Sequence, residues 1–340
     1  MDAPLICVYG AGSVGCYVGG RLLASGARVH LVGRPAMVAQ LRTHGLHVSD
    51  YRGAELHVPA DKVMAGSDVD RARAASLVLV CVKSAATQQA AEQLASALRP
   101  GTLVLSLQNG LHNARVLSRL LPRCRVLAGM VQFNVVQRGQ GAFHQGSEGG
   151  LSAERVFGLA PFVDTFTRAG LSLDLHDDLE RVQWAKLLLN LNNPINALSD
   201  LPLKEELAQR AFRRCLGLAQ AEALALLSRT DIQPARLTPL PPRWMARLLG
   251  VPDFLFEVAG RNTLAIDPLA RSSMWDDLER GRPTEIDFIN GEVVQLGEQL
   301  GQPVPVNARL VALIKQAEQG GKRRFGGPEL WAELQRSQRT

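Results

Sequence analysis

Leu5-Ile6-Cys7-Val8-Tyr9-Gly10-Ala11-Gly12-Ser13-Val14-Gly15 runs from an unbroken apolar stretch straight into a GxGxxG turn. The apolar stretch suits a strand covered on both faces. The three glycines serve different physical ends. Gly10 makes the tight turn, Gly12 lets backbone approach a pyrophosphate, and Gly15 lets the next helix pack against the strand. The helix expected over residues 10–26 would then aim its first N–H groups, around Ala11, Ser13 and Val14, at the anion. A GxGxxG alone is weak; between a strand and a helix it reads as a dinucleotide site.

Outward from this segment, short β-rich runs alternate with helical stretches to about residue 175. Residues 28–32, 77–82, 102–106 and 126–131 read as strands, and 85–98 as a helix closed by Pro100-Gly101. That alternation implies an α/β domain with a parallel, doubly wound sheet. The second strand ends Val32-Gly33-Arg34, where an NAD site would carry an acid for the ribose hydroxyls. Arg34 suits a phosphate instead, so NADP(H) is expected. Lys83 and Gln108-Asn109-Gly110 follow two further strand-like runs, at the strand ends where ligands gather.

Past residue 177 strand signals nearly vanish, and 178–191, 204–228, 272–281, 288–300 and 307–319 read as helices. The expected organisation is a Rossmann-like domain over 1–177, an all-α domain over 178–320, and a basic, poorly ordered tail over 321–340. Leu330, Trp331 and Leu334 offer that tail a short docking helix. Thr238-Pro239-Leu240-Pro241-Pro242 breaks the helical half, and the stretch on to Ile266, with Trp244, Phe254 and Phe256, reads as helical packing.

The composition is that of an ordinary globular chain: 340 residues, 46% apolar and 21% charged, which argues against disorder. Net charge is +6, but the arginines are scattered, and the one tight run, Lys322-Arg323-Arg324, reads as a solvated tail rather than a nucleic-acid patch. No apolar run reaches the roughly 18–20 residues of a membrane span. Met1-Asp2-Ala3-Pro4 shows no basic n-region, so a soluble, cytoplasmic protein is expected. Five cysteines form no CxxC pair and seven histidines no HExxH, so no metal site is expected.

Two polar stretches stand out in the helical half. In Trp184-Ala185-Lys186-Leu187-Leu188-Leu189-Asn190-Leu191-Asn192-Asn193-Pro194, Lys186 and Asn190 share a helix face amid leucines. A buried lysine can shift its pKa and donate to a polarised carbonyl, whereas a snorkelling one would only solvate the helix. The second stretch holds Ser272-Ser273-Met274 and Thr284-Glu285-Ile286-Asp287, with Thr284 placed as a helix cap.

Together with residues 10–15, Lys83 and Gln108-Asn109-Gly110, these stretches resemble the ketopantoate reductase (2-dehydropantoate 2-reductase) family to about residue 318. The resemblance implies an N-terminal domain holding NADPH and a helical domain serving the reduction of a 2-keto acid. It makes Lys186 the catalytic lysine on the ketone oxygen and Glu285 the acid orienting that lysine and the cofactor. Asn109, Asn190 and Asn193 become substrate-side amides, Ser273 the group receiving the substrate carboxylate, and Val135 a backbone neighbour of the cofactor. Three departures bear on the substrate. Asn193 stands seven residues after Lys186 where the family commonly has eight, Leu203 follows Pro202 where an asparagine is common, and the segment around Pro239–Ile266 is longer than in the plainest members.

The expected activity is NADPH-dependent reduction of 2-dehydropantoate, in pantothenate and coenzyme A biosynthesis. The alternatives are a related reductase of another 2-keto acid and a non-catalytic NADP(H)-binding redox sensor. A sensor needs only the Rossmann half, so Lys186, Asn190, Ser273 and Glu285 weigh against it. The partner is a small-molecule keto acid; the sequence leaves a homodimer open.

Overall fold

The computed structural model describes residues 3–259 and 270–339. The chain divides into two compact units, Met1–Leu179 and Glu180–Thr340.

In the N-terminal unit β1 (Ile6–Tyr9), α1 (Ser13–Ala24), β2 (Val29–Val32), α2 (Pro35–His44), β3 (Leu46–Asp50), β4 (Glu55–Val58) and β5 (Ala65–Gly66) come first. β6 (Leu77–Val80), α3 (Thr87–Ala97), β7 (Leu103–Ser106), α4 (Asn113–Leu120), β8 (Arg125–Val131) and β9 (Val135–Gln137) follow. β10 (Ala142–Gln145), β11 (Leu151–Glu154), α5 (Ala160–Arg168) and β12 (Leu173–His176) complete it. Eight strands form one sheet in the order β12-β11-β8-β7-β6-β1-β2-β5. Its neighbours pair in parallel, except β8 with β11. β1, β2, β6 and β7 are buried at every position, as a sheet covered on both faces requires. β1 lies between β2 and β6, so the strand order reverses beside it, and the crevice beyond its carboxyl end is the natural ligand position.

A second sheet, β4-β3-β10-β9, has no counterpart among the strands expected from sequence. Its strands are only partly buried and mix polar with apolar residues, so no apolar run announces them. Val135 opens β9 and packs its half-buried side chain against the unit's core.

The C-terminal unit carries helices and no strand among the described residues. α6 (Glu180–Asn190), α7 (Asn193–Ser199), α8 (Leu203–Ala208), α9 (Arg210–Leu227) and α10 (Pro242–Leu248) lead. α11 (Asp253–Ala259), α12 (Ser273–Glu279), α13 (Asn290–Leu300), α14 (Pro305–Glu318) and α15 (Gly327–Ser337) follow. The helix expected over 204–228 is broken at Gln209, which takes extended backbone angles. Among the described residues no helix is long and apolar enough to cross a membrane.

Two expectations need correction. Residues 321–339 are not a loose tail: the docking helix that Leu330, Trp331 and Leu334 offered forms as α15, which buries Leu330 and Leu334 against α9 and α14, and Arg214 stacks over the Trp331 ring at 3.7 Å. An apolar i, i+4 pair outweighs the polar composition around it. The stretch from Pro239 to Ile266 is helical as expected over α10 and α11 and buries Phe256, but its packing is partial, since Trp244 and Phe254 are 50% and 67% exposed. Residues 260–266 of it lie outside the described residues.

Candidate active site

The candidate site of the N-terminal unit is made largely of backbone. Gly10 sits at φ 108°, and a Cβ there would fall 2.7 Å from the Val82 nitrogen. A Cβ on Gly15 would lie 2.1 Å from the Gly10 carbonyl oxygen, so turn and helix touch only because both are glycine. Gly12 differs, since a Cβ there meets nothing within 4 Å. Its missing side chain therefore serves something other than packing within the fold. Gly12 is also the N-cap of α1, which has no side-chain cap and no acidic residue in its first turn. The first N–H groups of such a helix lack intrahelical acceptors and suit an anion.

Val32 O accepts from the N–H groups of both Gly10 and Ala11, at 2.9 Å each, tying the turn to the end of β2. Gly33 is a residue the motif alone does not single out: a Cβ there would sit 2.6 Å from the Ala11 Cβ. Arg34 is exposed beside it and caps α2 ahead of Pro35.

Lys83 is exposed just past β6. Asn109 is half-buried after β7, and its backbone is held by a buried network that the sequence did not announce. Ser84 Oγ donates to the Asn109 carbonyl at 2.8 Å, and Asn113 Nδ2 donates to the same oxygen. Gln108 Nε2 donates to Val82 O at 3.0 Å and to Thr87 Oγ1 at 2.7 Å, while its Oε1 accepts from Ser106 at 2.9 Å. The one available signal was the i, i+4 spacing of Asn109 and Asn113.

In the helical half, Lys186 and Asn190 lie four apart on α6, both half-buried among Val182, Leu187 and Leu188. Burial pushes the Lys186 ammonium down to about 8. Asn193 does not continue that helix: α6 ends at Asn190, Leu191 and Asn192 form a turn, and Asn193 opens α7. Pro194 explains the break, having no N–H to donate inside a helix but fitting its first turn.

Ser273 is exposed at the first position of α12, and the preceding Ser272 does the fixing. Ser272 Oγ accepts from Trp275 N at 3.1 Å and donates to Asn193 O at 3.2 Å, and Ser272 N donates to Asn196 Oδ1 at 2.8 Å. The structure thus brings the Asn193 and Ser273 segments together. Glu285 is buried in a bend, not on a helix. Thr284 Oγ1 accepts from Ile286 N at 3.3 Å, but the N-cap of the short 3-10 turn Ile286–Phe288 is Glu285 and α13 begins only at Asn290, so Thr284 is not the helix cap expected from sequence.

A glycine cradle at the switch point of a parallel sheet defines a dinucleotide-binding type of domain, here followed by an all-helical unit. Residues 6–156 match the family described as Ketopantoate reductase PanE/ApbA, and residues 178–318 match its C-terminal domain. The chain belongs to the ketopantoate reductase family, oxidoreductases acting on CH–OH groups. The 2-dehydropantoate 2-reductase of Archaeoglobus fulgidus is 31% identical over 333 residues, 94% of this chain and 100% of that one. A PanE/ApbA family ketopantoate reductase from Ralstonia eutropha JMP134 superposes with a TM-score of 0.78 at 32% identity, covering 93% of this chain and 99% of its own. D-mandelate dehydrogenase, solved with NADH and anilino(oxo)acetate, has a TM-score of 0.76 at 21% identity, covering 93% of this chain and 98% of its own. At that identity it shares the fold alone.

Proposed function

We propose that this protein reduces 2-dehydropantoate to pantoate with NADPH, a step of pantothenate and coenzyme A biosynthesis. The observation that carries the reading is Lys186, an ammonium brought by burial to about 8, four residues from Asn190 on one helix. A snorkelling lysine keeps its charge in water and its ordinary pKa; this one is poised to hold or release a proton near neutrality. NADPH, when bound, supplies the hydride. As the ketone is reduced, negative charge grows on its oxygen, and Lys186 stabilises that charge and gives up a proton. Glu285 orients the lysine, Asn109, Asn190 and Asn193 hold the substrate's polar groups, and Ser273 receives its carboxylate.

On the cofactor side, the open face of Gly12, the uncapped start of α1 and the Gly33–Ala11 contact fit a pyrophosphate. Lys83 and the Val135 backbone belong to the same reading, and Arg34 is assigned to the 2′-phosphate. One observation favours a second substrate. Asn193 stands on α7 rather than α6, and Leu203 opens α8. A related 2-keto acid is then the alternative. A panel of 2-keto acids assayed by NADPH oxidation, with NADH alongside, decides it. The highest kcat/KM is expected for 2-dehydropantoate, and a tenfold preference for another acid overturns that choice.

A further inference from the structure

Between α7, α8 and α9 the helical unit buries a carboxyl group that the proposed chemistry does not use. Glu206 on α8 is fully buried, whereas its neighbour Glu205 is exposed. Its Oε2 accepts from Asn192 Nδ2 at 3.0 Å and from Asn196 Nδ2 at 3.1 Å. Asn196 Nδ2 also donates to Leu201 O at 3.0 Å, and its Oδ1 accepts from Ser272 N at 2.8 Å, so its amide orientation is fixed. Two buried oxygens remain without donors, Glu206 Oε1 and Asn192 Oδ1. They belong to residues already bonded to each other. A proton on Oε1 would turn one of these acceptors into a donor, the group that both of them lack. A buried acceptor left without a donor is costly, which favours the neutral acid over the carboxylate here.

The network has a direction. From Glu206 one arm runs to Asn192, immediately before Asn193. The other runs through Asn196 to Ser272, immediately before Ser273, and Ser272 Oγ closes the loop on Asn193 O at 3.2 Å. We propose that Glu206, held as the neutral acid, is a positioning residue for the keto acid site, pinning the turns that present Asn193 and Ser273. The inference rests on the reading of those two residues as substrate-side groups. Burial pushes the Glu206 carboxyl up to about 8, so it is neutral where the enzyme would work. On α8 itself the other charged groups, Lys204 and Glu205, are both exposed. From α9 come Cys215 and the buried Arg213, whose guanidinium binds the Leu207 and Ala208 carbonyls. From α11 comes Asp253, which is salt-bridged to Arg213. α7 contributes no titratable residue.

The test compares the wild type with Glu206→Leu and Glu206→Gln. Glu206→Leu is expected to raise the keto acid KM at least tenfold, with a smaller change in kcat and NADPH affinity kept. Glu206→Gln retains an acceptor and a donor, so its KM is expected within about twofold of wild type at pH 7. As pH rises through 8, the wild-type KM should climb more steeply than that of Glu206→Gln. Equal slopes, or a folded Leu variant with unchanged KM, overturn the proposal. Infrared difference spectra, wild type minus Glu206→Gln, should show a protonated carboxylic acid at pH 6.5; carboxylate bands there overturn it without reference to turnover. If the wild type reduces no 2-keto acid at all, the substrate reading itself has failed and this role falls with it. If turnover is normal but the variants do not separate in KM, positioning alone has failed.

Discussion

At the scale of one residue, an ammonium with a pKa of about 8 is charged through the neutral range and loses its proton just above it. If the charged form is the donor, kcat is highest below pH 8 and falls as pH rises through it, because deprotonation removes the proton the ketone oxygen needs. A pH–kcat profile flat from 7 to 9 would exclude Lys186 as that donor. Its interaction grows only as charge develops on oxygen, so loss should fall on kcat more than on KM. Lys186→Ala is expected to cost about 10²–10³-fold in kcat with NADPH affinity retained. Turnover within about threefold of wild type would return Lys186 to a solvating role. Arg34 makes a different claim. Exposed at the start of α2, it has no part in the core, so Arg34→Ala should weaken NADPH binding and leave NADH nearly unchanged. Equal losses for the two cofactors would refute a 2′-phosphate contact.

At the scale of elements, the turn from β1 into α1 separates two uses of glycine. Gly10 and Gly15 are demanded by the fold, since a Cβ on either meets backbone. Gly12 is not. Gly12→Val should therefore leave the circular dichroism spectrum intact while abolishing NADPH binding by fluorescence titration. Unchanged binding would make the motif a packing turn. The five central strands of the main sheet, β1, β2, β6, β7 and β8, were legible because a parallel strand covered on both faces is an unbroken apolar word, as in Leu77-Val78-Leu79-Val80, whereas the short or polar β5, β11 and β12 toward its edges were not. The second sheet was not, because strands such as Leu46–Asp50 expose part of their length and carry His, Ser and Asp. Lys186 and Asn190 could be picked out by residue type and spacing, whereas Ser273 takes its assignment from the family resemblance alone. Glu206 could not: nothing local tells it from Glu205, and only the rotation of α8 against Asn192 and Asn196 buries one and exposes the other.

At the scale of the molecule, the aromatic residues divide between the units in a way that makes each readable separately. All four tryptophans, Trp184, Trp244, Trp275 and Trp331, fall in the helical unit, and all three tyrosines, Tyr9, Tyr17 and Tyr51, in the other. Tryptophan fluorescence during urea unfolding thus reports on the helical unit alone. That unit's last helix, α15, has weak local reasons to form: eleven residues are marginal for an isolated helix, so its stability must come from packing. Leu330 and Leu334, both fully buried and one turn apart, supply it. Truncating either removes apolar area and leaves a cavity between helices that can close only in part. Leu334→Ala should therefore destabilise the helical unit by about 2–5 kcal/mol, seen as a lower tryptophan-monitored urea midpoint at constant slope. Glu333→Ala, one position earlier on the same helix, tests the competing view that the Arg309 and Arg336 ion pairs hold it, and it should cost no more than about 1 kcal/mol. If the alanine at 334 costs less than the alanine at 333, α15 is held by its charges, and the apolar pair is not what keeps this basic segment folded.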